Sequence, residues 1–279
     1  MRLSSTRRAL LISMSLILAG LLGQAAAAES THSSASAAAP AVSASPVSTP
    51  TVATPPVVKP TKPRTESTRI PERPKGHSGP AGSLLTTGSR GVALTFDDGP
   101  DPANTPALLR ILAKNHVKAT FCVVGENVKN HPDMIRKIVA GGHALCNHTW
   151  DHDLKLGKKS PAAIRADMQR TNDAIRAAVP QAQIKYFRAP GGNFTPQIVK
   201  IAKELGMASI YWKVDPRDWE HGREESDGAH TNRVITTVKS HTGPGAIVLS
   251  HDYAQPDTIR AYATLIPWLR SRFRLIALP

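Results

Sequence analysis

Short apolar runs alternate with amphipathic stretches from about residue 90 to the end of the chain. This alternation is typical of a repeated strand–helix unit and of a mainly parallel sheet. The predicted strands are 92–96, 119–124, 144–147, 184–187, 208–212, 246–250 and 274–277. The predicted helices are 103–114, 132–140, 161–178, 196–205, 231–239 and 258–269. About seven strands with intervening helices predict an α/β fold closer to a barrel than to a small open sheet.

The N-terminal segment has a different pattern. Arg2, Arg7 and Arg8 precede an apolar run over 9–22, and four alanines follow at 25–28. This order predicts a signal peptide over residues 1–28, because the apolar run is shorter than the roughly 20 residues of a membrane-spanning helix. Cleavage would leave no stable membrane span, and an uncleaved anchor is the alternative. We therefore expect a secreted or cell-envelope protein.

Residues 29–89 are dominated by Ala, Ser, Thr, Pro and Val. Such a composition cannot bury enough apolar surface to offset the entropy of ordering, so it predicts a disordered linker. The linker is either a spacer that crosses an envelope layer or a tail without a specific function. The remaining residues, 90–279, are enough for one domain with a substantial core.

The net charge and the two cysteines indicate the surroundings in which the protein acts. The net charge is +14 at pH 7, but the basic residues are scattered and form no nucleic-acid motif. The charge predicts either attraction to an anionic envelope or simply a soluble basic surface. The two cysteines, Cys122 and Cys146, lie in neighbouring predicted strands of an exported chain. They are a candidate disulfide, with two buried thiols as the alternative.

Polar residues cluster where the predicted strands end, which is where catalytic groups gather in α/β folds. Asp97 and Asp98 end the first strand, and adjacent side chains on an extended segment point in different directions. One could bind a metal while the other acts as a base, although an Asp-rich turn explains the pair equally. His148 and His152 follow the third strand. One helical turn would place both imidazoles on one face, where they could share an ion; surface histidines are the alternative.

Candidate catalytic residues also lie at the ends of three further predicted strands. Arg188 could hold a carboxylate while the turn at Gly191 aims an N–H at an oxyanion, although an ordinary Pro-Gly turn has the same residues. Asp218 and Trp219 follow the fifth strand, and His251 ends the sixth. A histidine kept protonated by a neighbouring carboxylate can act as a general acid.

Taken together and in this order, the motifs resemble those of the NodB-type polysaccharide deacetylases, carbohydrate esterase family 4. The matching segments are TFDDGP at 95–100, H-T-x-x-H at 148–152, R-x-P-x-G at 188–192, D-x-x-D-W at 215–219 and L-x-H at 249–251. The resemblance covers nearly all of the domain and none of the linker. It implies a distorted, incomplete (β/α) barrel, in agreement with the strand count.

The resemblance also implies roles for individual residues. Asp97 would be the catalytic base, oriented by Arg188. Asp98, His148 and His152 would bind a divalent metal, commonly zinc and sometimes cobalt or another ion, and water activated by this metal would be the nucleophile.

Further roles follow for the other motifs. His251, tuned by Asp218, would protonate the leaving amine, and the backbone N–H of Gly191 would help to stabilise the oxyanion. Trp219 and Leu249 would line the acetyl pocket. The family often has an aromatic residue where this chain has Gly191, so one wall of the sugar-binding groove is altered.

The sequence therefore predicts a hydrolase that removes acetyl groups from a polysaccharide, with N-acetylglucosamine residues of peptidoglycan or a chitin-like polymer as substrates. Export, the spacer and the basic charge favour peptidoglycan. The alternatives are an O-acetyl esterase acting on xylan and a non-catalytic carbohydrate-binding homologue. A non-haem iron oxygenase would leave Asp97, Arg188 and His251 unexplained. We expect a monomer and no nucleic-acid partner.

Overall fold

The structure is a computed structural model that describes residues 78–279. The predicted signal peptide, residues 1–28, and most of the predicted linker, residues 29–89, lie outside the described residues. Within residues 78–279, none of the helices is long and apolar enough to cross a bilayer.

Within residues 78–279, seven strands form one sheet, and their pairings are parallel. They are β1 (Val92–Asp97), β2 (Thr120–Val123), β3 (Ala144–Asn147), β4 (Ile184–Phe187), β5 (Ala208–Ser209), β6 (Ile247–His251) and β7 (Leu275–Ile276). The order across the sheet is β5-β4-β3-β2-β1-β6, and β7 also pairs with β1. The predicted α/β fold with about seven strands is confirmed.

In the described part of the chain, seven α-helices connect and cover these strands. They are α1 (Thr105–Lys114), α2 (Gly125–Asn130), α3 (Pro132–Ala140), α4 (Pro161–Ala178), α5 (Pro196–Glu204), α6 (Asp227–His241) and α7 (Pro256–Arg270). Helix α2 was not predicted, because six residues are too few to show a helical period. Helix α6 begins earlier than predicted because the Ser226 hydroxyl accepts a hydrogen bond from the Ala229 N–H and caps it.

The sheet curls into an incomplete barrel. Strand β5 is short, ending at Ser209 rather than at residue 212. The chain then returns to the far edge of the sheet, where Val214 bridges Val248 of β6. The loop that follows Val214 is consequently held beside the end of β6.

Packing on the two faces of the sheet differs. Leu94, Phe96 and Phe121 belong to a large cluster with the helices. Ala93 and Cys122 belong to a smaller cluster on the other face. Every residue of β1 is buried, as expected for a parallel strand covered on both faces.

The two cysteines belong to this smaller cluster. Cys122 of β2 and Cys146 of β3 are register partners. Their Cα atoms are 4.1 Å apart, and their sulfur atoms are joined as a disulfide.

Candidate active site

The carboxyl ends of the strands bring the predicted residues to one edge of the sheet. Asp97 is the last residue of β1 and is paired in register with His251, the last residue of β6. His148 directly follows β3, and Arg188 directly follows β4. Parallel strands share the direction of their ends, so residues far apart in the chain meet here.

Asp97 is held by a buried arginine. Its side chain is nearly inaccessible, and Nη1 of Arg188 donates to its Oδ1 over 2.6 Å. The same nitrogen donates to the Thr95 hydroxyl at 2.9 Å, and Nη2 donates to the Tyr211 carbonyl at 3.0 Å. The hydrogen bonds that this guanidinium donates fix both its own position and that of the carboxylate.

Asp98 meets a different set of partners. Its φ of +74° turns the chain out of the extended conformation of β1. Its Oδ1 lies 3.4 Å from Nε2 of His148 and 3.4 Å from Nε2 of His152. Burial opposes ionisation, but the His148 imidazole holds the pKa of Asp98 well below its usual range.

The predicted helical turn over residues 148–152 is wrong, since this segment is an irregular loop. Thr149 and His152 have positive φ angles of 69° and 57°. Two side chains fix the loop: Asn147 accepts a hydrogen bond from the Thr149 N–H at 2.9 Å, and Asp167 accepts one from the Trp150 N–H at 3.0 Å. Loop geometry, rather than helical spacing, therefore brings the two imidazoles together, with ring centroids 5.0 Å apart.

Asp98, His148 and His152 fit a divalent cation. One ligand atom from each lies within 4.8 Å of the other two. Nδ1 of His148 lies 2.8 Å from the Arg188 carbonyl oxygen, which can only accept, so Nδ1 carries the proton and Nε2 offers its lone pair. Within residues 78–279, the buried Oδ1 of Asp98 has no hydrogen-bond partner. A cation bound by these three groups would satisfy that oxygen.

The charges around the two imidazoles agree with this fit. Burial lowers the pKa of His148, but the carboxylates of Asp97 and Asp98 outweigh it and raise the pKa. The site therefore concentrates negative charge that a cation can balance. Burial and the neighbouring His148 lower the pKa of His152, which favours the neutral, metal-binding form of that ring.

His251 and Asp218 form a second buried pair at the same edge. Nδ1 of His251 lies 2.8 Å from Oδ1 of Asp218, and the His251 backbone N–H donates to Oδ2 at 2.8 Å. The Thr258 hydroxyl also donates to Oδ2 at 2.8 Å. Burial alone would lower the pKa of His251, but Asp218 raises it to about 9. His251 is accordingly protonated at neutral pH.

These groups face one pocket of about 490 Å³. The predicted residues that line it are Asp97, Asp98, His148, His152, Gly191, Trp219, Leu249 and His251. Arg188 and Asp218 lie behind the lining, where they contact Asp97 and His251.

Other lining residues were not predicted as site residues. They are Leu154, Ala189, Asn193, Trp212 and Asp215. Leu154 and Trp219 are exposed hydrophobic side chains at the pocket, with 54% and 49% of their surface accessible. Trp212 ends the predicted fifth strand, so its place at a strand end was the available signal.

Gly191 has a φ of +58°, a conformation in which side chains are strained. A Cβ atom built there would lie 3.0 Å from Cδ2 of Leu154. The glycine thus leaves room for Leu154 at the pocket wall.

Asp252 is a buried acid that the motifs did not single out. Burial raises its pKa to about 7, and the Thr105 hydroxyl donates to its Oδ2 over 2.5 Å. Its backbone N–H donates to the Asp97 carbonyl at 3.2 Å. Asp252 therefore joins the start of α1 to the ends of β1 and β6.

Comparison with known proteins shows the family. A sequence model described as polysaccharide deacetylase matches residues 85–210. A chitooligosaccharide deacetylase from Bradyrhizobium sp. is 39% identical over 69% of this chain and 91% of its own length. A peptidoglycan-N-acetylglucosamine deacetylase from Bacillus cereus is 34% identical over 65% of this chain and 82% of its own length.

A solved structure has the same fold. It is a pseudoenzyme of carbohydrate esterase family 4 from Bacillus anthracis, with a TM-score of 0.62 and 31% identity over 70% of this chain and 66% of its own. The incomplete barrel, the shared sequence and the matched segment agree. The chain belongs to the polysaccharide deacetylases, a family of hydrolases.

Proposed function

We propose that this protein is an exported, metal-dependent hydrolase that removes acetyl groups from N-acetylglucosamine residues of a polysaccharide. One observation carries the proposal: a candidate metal triad, a carboxylate held by arginine and a protonated histidine face the same pocket. Acetyl transfer to water needs a base, an acid and a group that stabilises an oxyanion. The pocket offers a candidate for each.

Asp98, His148 and His152 would hold the divalent cation. Two imidazoles and one carboxylate form a ligand set found in catalytic zinc sites, and cobalt accepts the same donors. When bound, such a cation lowers the pKa of water and polarises a carbonyl oxygen.

Asp97 is suited to accept the proton of the attacking water. Arg188 occupies its Oδ1, while its Oδ2 lies on the side of His148, 3.6 Å from Nε2. Because Arg188 is fully buried, it holds this orientation without opening the pocket to further water. Asp97 therefore acts as the base, and Arg188 positions it.

His251 is suited to give a proton to the leaving nitrogen. Asp218 engages Nδ1, which leaves Nε2 as the nitrogen that can donate into the pocket. An amine is expelled readily only when it is protonated, so a protonated acid at this place favours an acetamide over an ester as the substrate. This is the argument for removal of N-acetyl rather than O-acetyl groups.

The remaining pocket residues would receive the acetyl group. Trp219 and Leu249 supply apolar surface for its methyl group, and both line the pocket. The backbone N–H of Gly191 would donate to the oxyanion.

The substrate is proposed to be peptidoglycan or a chitin-like polymer. The named relatives act on chitooligosaccharide and on peptidoglycan N-acetylglucosamine. The predicted export and the net charge of +14 favour an anionic cell-wall polymer. A non-catalytic role would predict the loss of a base, ligand or acid, and this chain retains a candidate for all three.

Acetate release, measured in parallel on peptidoglycan, chitin oligomers and acetylated xylan, tests the proposal. We expect the zinc-loaded protein to release acetate from N-acetylated polymers, with peptidoglycan preferred. Release from xylan alone would identify an O-acetyl esterase. Release from none of the three would contradict the proposed function.

A further inference from the structure

A second group of metal-ligating side chains lies outside the pocket. It consists of His221, His230 and Asp257, whose ligand atoms all lie within 4.8 Å of one another. His221 belongs to the loop that precedes α6, His230 lies in α6 and Asp257 is near the start of α7. Three elements thus converge on one point between two packed helices.

The separations between the ligand atoms suit a zinc-sized ion. Oδ2 of Asp257 lies 2.8 Å from Nδ1 of His230 and 3.7 Å from Nε2 of His221. That Nε2 is also 3.7 Å from Oδ1 of Asp227. Ligand atoms at about 2.0–2.1 Å from a tetrahedral zinc are about 3.3–3.4 Å apart. The measured distances lie on both sides of that value.

His221 is oriented as a metal ligand. Its Nδ1 lies 3.1 Å from the carbonyl oxygen of Gly222, which can only accept, so Nδ1 carries the proton. The lone pair is then on Nε2, the atom near the two carboxylates. Metal-binding histidines usually donate their other N–H to a carbonyl or carboxylate in this way.

His230 is buried at the centre of this group. It is 1% exposed, and its Nδ1 is the ring nitrogen that faces Oδ2 of Asp257. An imidazole beside a buried carboxylate supplies two of the ligand types that zinc takes in proteins.

Arg260 contacts the carboxylates of both Asp227 and Asp257. Nη2 of Arg260 contacts Oδ1 of Asp257 and donates to Oδ2 of Asp227 over 3.0 Å. Each carboxylate therefore keeps its other oxygen for the histidines. Carboxylates that bind metals are commonly hydrogen-bonded in this manner.

We propose that His221, His230 and Asp257 form a second site for a divalent cation of the zinc class. Asp227 lies beside His221 on the exposed side of this group. The site lies next to the proposed acid: Asp257 precedes Thr258, whose hydroxyl donates to Asp218. A bound ion would tie the loop that carries Trp219 to α7.

The test uses the full-length His148→Ala/His152→Ala protein, in which the pocket triad is lost. After removal of metal and dialysis against zinc, elemental analysis should find one zinc per chain. His221→Ala, which alters a half-exposed side chain, is then added to this protein. It should weaken zinc binding by more than about 100-fold, which exceeds the usual effect of losing a residue that only hydrogen-bonds a metal ligand. His241→Ala is the matched control, since His241 is an exposed histidine at the end of α6.

Zinc should also raise the melting temperature of the double variant and of the His241 control, but not that of the His221 variant. The second site is overturned if the double variant binds no zinc, if His221→Ala leaves binding unchanged, or if His241→Ala abolishes it. Circular dichroism checks that each variant is folded. A zinc-loaded wild type that releases no acetate would contradict the proposed function and leave this site unaffected.

Discussion

Asp97 and Asp98 are neighbours in the chain but have different partners, because the φ of +74° at Asp98 turns the backbone between their side chains. Arg188 holds Asp97, and two imidazoles surround Oδ1 of Asp98. We therefore predict that Asp97→Asn keeps its metal and loses about 100- to 10,000-fold in kcat, the usual contribution of a general base. Elemental analysis and steady-state kinetics on the same sample measure both. Near-normal turnover with metal bound would assign the base to another residue.

Asp98→Asn should have the opposite signature. The amide is a poorer ligand than the carboxylate, so metal affinity falls and activity is partly restored by excess zinc or cobalt. A titration of activity against added metal checks this expectation. If excess metal restores Asp97→Asn but not Asp98→Asn, the two roles are reversed.

The pairing of His251 with Asp218 predicts the alkaline limb of the pH profile. Burial opposes protonation, but Asp218 raises the pKa of His251 to about 9, so the acid is protonated below that pH and activity falls above it. Asp218→Asn removes the charge that raises the pKa of His251 but leaves the ring buried. The alkaline fall in activity should therefore move to lower pH. His251→Ala should lose turnover while it keeps the metal.

The profile of kcat against pH tests this pairing. Asp173→Asn, which changes an exposed carboxylate on α4, is the control and should leave the limb in place. An unchanged limb in Asp218→Asn would show that His251 is not the titrating acid.

The pairing of β2 with β3 places Cys122 opposite Cys146, 24 residues apart in sequence. A bridge closing a loop of this length is expected to add about 2–4 kcal/mol to the free energy of unfolding. The Cys122→Ala/Cys146→Ala variant should lose that amount in urea unfolding. Mass spectrometry after alkylation without reduction should find neither thiol modified. Two alkylated thiols would contradict the bridge.

The sequence predicted β3 and β4 to the residue and β1 to within one residue, because these strands are short and mainly apolar runs. It also predicted that the polar motifs meet at the carboxyl ends of the strands. It could not predict α2, which is too short to show a period, nor the loop at 148–152. In that loop the Thr149 N–H donates to the neighbouring Asn147 side chain, and the Trp150 N–H donates to Asp167 of α4, which is a tertiary contact.

Two residues of the pocket wall could not be predicted from the sequence either. Leu154 and Trp212 belong to no polar motif. Leu154 reaches the pocket from the loop between β3 and α4, and Trp212 from the segment between β5 and β6. The cluster of His221, His230 and Asp257 was missed for a related reason: its members come from three elements and share no sequence spacing. Residues set by tertiary contacts carry no local signal.

For the whole molecule, an incomplete barrel leaves the carboxyl edge of the sheet open as a pocket of about 490 Å³. Exposed Leu154 and Trp219 extend this opening towards solvent, as suits a polymer that is larger than the pocket. The predicted signal peptide and most of the predicted linker lie outside the described residues, and export is part of the proposal.

We propose that this pocket removes acetyl groups with the help of a divalent cation. Acetate release from N-acetylglucosamine oligomers by metal-stripped protein, measured before and after zinc is added, tests this proposal. We expect no release before the addition, recovery after it, and no recovery in the His148→Ala variant. Full-rate release by the metal-stripped protein, or equal recovery in His148→Ala, would show that deacetylation does not depend on a metal held by these residues.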